Sequence, residues 1–160
     1  MRTKVMIAVS VLILGFLGHS IYEKEQLKAH GDTVLLELAP VDPRSLMQGD
    51  YMQLGYQLEW YLRGKSHDNY KFLVGRLDQN NVLQFVRCQN GKNVNKGEIL
   101  LRLRSTGWQS QIMPDSFMFQ EGHGKYYENA QYGIFKVDRS GDYILVGLAD
   151  RDRKIIKVSE

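Results

Sequence analysis

The chain has 160 residues, 43% of them hydrophobic and 11% aromatic, with 21 Lys and Arg against 18 Asp and Glu. That length supports one domain beyond a leader, and so ordinary a composition excludes wholesale disorder. After residue 29 the basic and acidic residues number 17 and 16 and are interspersed, so the basic stripe that a nucleic-acid partner demands is missing.

Residues 5–21 read VMIAVSVLILGFLGHSI and are apolar or glycine except for Ser10, His19 and Ser20. As a helix this stretch rises about 26 Å, close to the roughly 30 Å of a bilayer core, and Tyr22 falls where an interfacial aromatic belongs. A cleaved signal would need small residues around Gly18-His19-Ser20, and the histidine makes that a poor site. An N-terminal helix apolar around its whole circumference also does not fit a soluble core. The expectation is an uncleaved anchor that meets the bilayer through residues 5–21. Arg2, Lys4 and the terminal amine precede it, and the positive-inside bias then puts the N-terminus in the cytoplasm and the rest outside. Residues 22–30 (YEKEQLKAH) predict a solvated helical stalk that stops at Gly31. The division is residues 1–30 as anchor and stalk, and residues 31–160 as one folded domain.

From Asp32 onward the dominant hydrophobic period is two. Residues 33–38 predict a strand, broken by Pro40 and Pro43. The strongest strand signal covers residues 50–62, where Met52, Leu54, Tyr56, Leu58, Trp60 and Leu62 alternate with Gln53, Gln57 and Glu59. Residues 70–77 and 82–88 predict a hairpin around the turn-rich 78–81. Residues 98–104 predict a further strand, and residues 131–137 and 142–148 a hairpin around 138–141. Residues 154–158 predict a lysine-bearing edge strand. Only residues 122–129 look helical. With no crossover helices, the fold class is mostly β: a single antiparallel barrel or sandwich-like domain with one short helix, behind an N-terminal transmembrane helix. The one cysteine, Cys88, excludes an internal disulfide and reads as a small apolar residue on a strand.

The segments with chemical potential are two. The first, PVDPRSLMQGDYMQLGY, contains Gly49-Asp50 as a tight turn into a strand. Tyr51 and Tyr56 there have opposite parity, so Tyr56 belongs to the core with a hydroxyl that needs a partner. Arg44, Asp50 and Tyr51 are left free to line a surface. The second, FQEGHGKYYENAQYGIFKVDRSGDYILVGL, offers Glu121, His123, Tyr127 and Glu128. Glu121 and His123 would share a face if extended, but a metal site needs a third ligand and no spacing supplies one, so no metal and no cofactor is expected. Glu128 is expected to accept bonds from backbone or an arginine. The GDY string recurs at residues 141–143, which two turns of the same local chemistry explain.

These two blocks resemble the signature of the GDYxxLxY family of bacterial membrane-anchored proteins. The first block matches through Gly49, Asp50, Tyr51, Leu54 and Tyr56, and the second through Glu121, Gly122, Tyr127, Glu128, Ala130, Tyr132, Gly133, Val137, Gly147 and Leu148. The resemblance implies a cell-envelope protein of the bacterial cytoplasmic (inner) membrane, single-pass, with a periplasmic C-terminal domain. It also implies a multi-pass membrane-protein partner, and it carries over no activity. The reading is therefore a non-enzymatic binding module for a membrane-protein partner or envelope component, with no catalytic residues assigned. Its rival is an anchored hydrolase. Ser45 and Lys71 distantly resemble the Ser–Lys dyad of anchored signal peptidases, but Ser45 lacks their S-M-x-P context.

Overall fold

The computed structural model describes residues 2–39, 51–62, 70–105 and 110–158. Helix α1, Arg2–His30, runs unbroken through both the apolar leader and the stalk. Its 29 residues span about 44 Å at roughly 1.5 Å each. None of its apolar window is buried against the domain, and it is long and apolar enough to cross a membrane.

The last turns of α1 are docked rather than solvated. Leu27 is buried, and the Gly31 N–H donates to the Leu27 carbonyl at 2.8 Å. A Cβ at Gly31 would sit 2.5 Å from that carbonyl oxygen and 3.1 Å from the Val137 nitrogen, so only glycine lets the helix end press on the domain. Lys136 Nζ donates to the Gly31 carbonyl (3.0 Å) and to Thr33 Oγ1 (2.9 Å). A cation thus sits where the carbonyl ends of the helix favour one.

Ten strands follow among the described residues: β1 Asp32–Glu37, β2 Tyr51–Gln53, β3 Phe72–Leu77, β4 Leu83–Gln89, β5 Glu98–Arg102, β6 Arg104–Ser105, β7 Ser110–Gln111, β8 Ser116–Met118, β9 Tyr132–Val137 and β10 Tyr143–Ala149. A one-turn helix, α2 (Gly124–Tyr127), precedes β9. All ladders are antiparallel, in sheets ordered β1-β9-β10, β4-β3-β5, β2-β8 and β6-β7. The two larger sheets face each other over Val34, Leu36, Leu73, Leu101, Phe135 and Val137, all under 2% exposed, a fully desiccated centre. They touch at two corners, where Leu35 N–H donates to the Asn81 carbonyl (2.9 Å) and Arg102 N–H to the Gly141 carbonyl (2.8 Å). Neither corner continues into an antiparallel ladder, so the mostly antiparallel β domain forms no closed barrel among the described residues.

Two local expectations are corrected. The run at residues 50–62 is a strand only through Gln53. Tyr56 then makes a single antiparallel bridge to Leu38, and Gln57–Tyr61 coil into a 3₁₀ helix. Leu58 and Leu62 lie four apart as well as in period two, so the same residues serve a turn that buries Leu58 and stacks Tyr61 on Phe85 (4.5 Å, 2°). Trp60, which a continuous strand would bury, is 59% exposed. Residues 154–158 contribute no strand beyond an isolated bridge between Ala149 and Ile155 and one bond from Ile156 N–H to the Leu148 carbonyl. The predicted hairpins 70–88 and 131–148 form as expected. In each, an aspartate closes the loop: one Asp78 oxygen accepts from the N–H of Asn80 and Val82, and one Asp138 oxygen from Ser140 and Asp142.

Candidate functional site

The signature residues meet at the end of the domain away from α1. Strand β1 leaves the helix at Asp32, and Leu38, just past its far end, pairs with Tyr56. Tyr56 is 1% exposed, and its ring meets Phe135 edge-on (5.7 Å, 65°). Gly133 makes room for this cluster, since a Cβ there would lie 2.9 Å from Phe135 and 3.5 Å from the Tyr56 ring. The first block's second tyrosine is therefore packed on the second block's glycine. Tyr51, of opposite parity, stands 43% exposed on β2, directly across from Met118 of β8, which is 79% exposed. Tyr127 packs between Phe117 (5.1 Å, 64°) and Phe119 (5.5 Å, 26°), which ties α2 to the same β2–β8 ribbon.

Of the predicted site residues, Arg44 and Asp50 lie outside the described residues, as do Ser45 and Gly49. Tyr51 and Tyr127 come together through β8. Glu121 and Glu128 are exposed on either side of α2, and His123 is half-exposed with its ring edge-on to Tyr126 (5.7 Å, 88°). The chain turns at Gly122 with φ +82°, so Glu121 and His123 are not on one extended face. Tyr127, rather than Glu128, fixes the segment to the sheet. Among the described residues no three His, Cys, Asp or Glu gather as a metal cluster. Lys71 is exposed, with no desolvation to turn it into a base.

A second feature was not visible in the sequence. Residues 112–114 are held by three side chains. Glu59 Oε1 accepts from Ile112 N–H (2.9 Å), Tyr143 Oη from Met113 N–H (3.1 Å), and Tyr56 Oη donates to the Pro114 carbonyl (2.6 Å). Burial pushes both tyrosine hydroxyls above the usual tyrosine range, with neighbouring charge on Glu59 adding to it. Both stay neutral and able to hydrogen-bond. The braced segment forms one wall of a groove of about 500 Å³ lined by Leu103, Arg104, Met113, Pro114, Tyr143 and Leu145.

The floor of that groove is a strand edge. Asp138 N–H donates to the Asp142 carbonyl (2.9 Å), so that pair faces inward across the hairpin. By antiparallel alternation, the backbone groups of Tyr143 and Leu145, opposite Val137 and Phe135, point away from β9. Gly141 is met by Arg102 on this side. Beyond it Leu103 turns off to bond Lys71, and the edge at residues 143–145 has no strand partner among the described residues. Arg102 is committed to Asp142 (2.9 Å), whereas Arg104 is exposed and has no ion pair among the described residues. The only hint in the sequence was the second GDY string, whose tyrosine supplies both a brace and the open edge.

An exposed apolar N-terminal helix carrying an antiparallel β domain, with a strand edge open beside an apolar groove, defines the class of protein. Residues 13–148 match the family model described as GDYXXLXY protein. The chain belongs to that family. No curated protein matches it, and no solved structure does.

Proposed function

We propose that the protein is a membrane-anchored interaction module. Residues 1–30 fix it in a cytoplasmic membrane with the N-terminus inside, and residues 31–160 stand on the outer, periplasmic side. An extended segment of a membrane-protein partner adds to the edge of β10. The observation that carries this reading is the open edge at Tyr143 and Leu145 lying along an apolar groove. Such an edge offers main-chain hydrogen bonds, and the groove offers pockets for alternate side chains. Arg104 favours a segment with a carboxylate at that end. The exposed surface formed by Tyr51 and Met118, with Arg44, Asp50, Glu121, His123, Tyr127 and Glu128 around the signature, is proposed as a second contact region. The hydrolase alternative has less support, because Glu121 and His123 sit in a solvent-facing turn rather than a pocket.

The test is affinity capture of the full-length protein from detergent-solubilised membranes, with Arg104→Glu and Asp50→Ala variants alongside. A reproducible multi-pass partner that Arg104→Glu loses supports strand addition at the groove. Loss only with Asp50→Ala assigns the contact to the signature surface. A partner-free monomer with hydrolytic activity overturns the proposal.

A further inference from the structure

The hairpin loop at residues 138–142 is the part of the domain closest to the anchor, and topology makes it so. Strand β1 departs from α1 at Asp32, β9 runs back antiparallel to it with Val137 opposite Asp32, and the loop overshoots that point. It lies alongside the final turns of α1. Between them is a cleft of about 590 Å³, lined on the helix by residues that include His19, Tyr22, Glu23 and Lys24, and on the loop by Asp138, Arg139, Ser140 and Asp142. Ile21 is the last residue of the apolar span, ten residues or about 15 Å before Gly31. A headgroup layer of roughly 5–7 Å beginning at Ile21 extends over Tyr22, Glu23 and Lys24. The mouth of the cleft is therefore at headgroup depth.

The charges in it are unevenly committed. Asp138 Oδ1 accepts three hydrogen bonds from within the loop, from Ser140 N–H, Ser140 Oγ–H and Asp142 N–H, all at 2.8–2.9 Å. Asp142 is paired with Arg102 at 2.9 Å, and Glu23 with His19 at 3.4 Å. Asp32, at the deep end beside Gly31, is the remaining carboxylate of the lining. Near the mouth, Lys24 and Arg139 have no partner among the described residues. We propose that this cleft seats an anionic phospholipid headgroup, its phosphate held between Arg139 and Lys24, so that the domain touches the bilayer at a second point and stands at a fixed tilt. Arginine suits this role through its planar fork of donors, and lysine as a point charge. The inference shares the membrane anchor with the function proposed above, but it does not depend on any protein partner.

The experiment uses the full-length protein in nanodiscs containing phosphatidylglycerol and a lipid with a spin label on its headgroup. Amide broadening is read by nuclear magnetic resonance at Arg139, Ser140 and Gly141, with Asp152, at the far end of β10, as the reference. Strong broadening of the loop amides over Asp152 is expected. Retention of phosphatidylglycerol should fall about tenfold to thirtyfold in a Lys24→Gln/Arg139→Gln variant, the loss of two basic side chains at an anionic surface. Loop amides as unperturbed as Asp152 overturn the inference, as does undiminished lipid retention by the variant. So does a loop that responds to inorganic phosphate in detergent yet not to the spin-labelled lipid, which would assign the cleft to a soluble anion. Flotation with liposomes separates the two readings: a protein that does not float loses its anchor and this inference together, and one that floats with a silent loop loses the inference alone.

Discussion

Replacing Tyr56 by phenylalanine removes one oxygen and leaves the ring in place. The hydroxyl donates to the Pro114 carbonyl at 2.6 Å, and the ring is 1% exposed against Phe135 and Gly133. Deleting the donor leaves a carbonyl unsatisfied in a largely dry site, at a cost of about 1–2 kcal/mol. Tyr56→Ala also loses the ring contacts and leaves a cavity, for about 3–5 kcal/mol. For a domain of this size about 1 kcal/mol corresponds to roughly 4 °C in Tm. Thermal unfolding of the full-length protein in detergent, followed by near-UV circular dichroism, should therefore drop about 4–8 °C for Tyr56→Phe and about 12 °C or more for Tyr56→Ala. The pH limb gives an independent check. Burial raises the hydroxyl above its ordinary value of 10.0, so the folded state keeps its proton where the unfolded chain releases one. The associated stability is present below about pH 10 and is lost above it, and Tyr56→Phe should flatten that decline. A Tyr56→Phe protein as stable as wild type, or as damaged as Tyr56→Ala, would refute the brace, as would an unchanged alkaline limb.

Other outcomes follow from the same contacts. Glu98 accepts two 2.8 Å bonds from Arg87 and further bonds from Asn95, which lower its carboxyl from 4.5 to about 2. The contribution is present above pH 4.5 and fades as pH falls toward about 2, so denaturation curves of Glu98→Gln should lose that slope. Gly133→Ala forces a methyl to within 2.9 Å of the Phe135 ring and should destabilise by about 1–3 kcal/mol, read by the same thermal assay. Leu27→Ala should loosen the helix–domain joint by about 2 kcal/mol, the low end of the range for a buried leucine. Amide exchange at Gly31 should speed up while exchange in β3 stays unchanged. Equal exchange at both positions would mean that the joint carries no separate stability.

Much of this architecture was legible because its causes are local. An aspartate at the first loop position followed by turn residues closed both hairpins, in the same way at Asp78 and Asp138. Parity alone put Tyr51 outside and Tyr56 inside, and predicted that the Tyr56 hydroxyl would need a partner. The identity of that partner was not legible, since Pro114 lies 58 residues away. The strand at residues 50–62 was misread beyond Gln53 because Leu58 and Leu62 satisfy two periods at once. Only the stacking of Tyr61 on Phe85 and the bond from Ile112 N–H to Glu59 select the turn.

The sequence by itself determined the apolar span, its separation from a strand-built domain, the two main hairpins and the buried face of each strand. All of these depend on spacing within about ten residues. Tertiary structure alone decided that the stalk docks through Leu27 and Gly31, that the sheets meet at corners without closing, and that β10 is left with an open edge beside Pro114. Those outcomes depend on which distant surfaces reach each other first and leave room, a competition between packing volumes that no local period records.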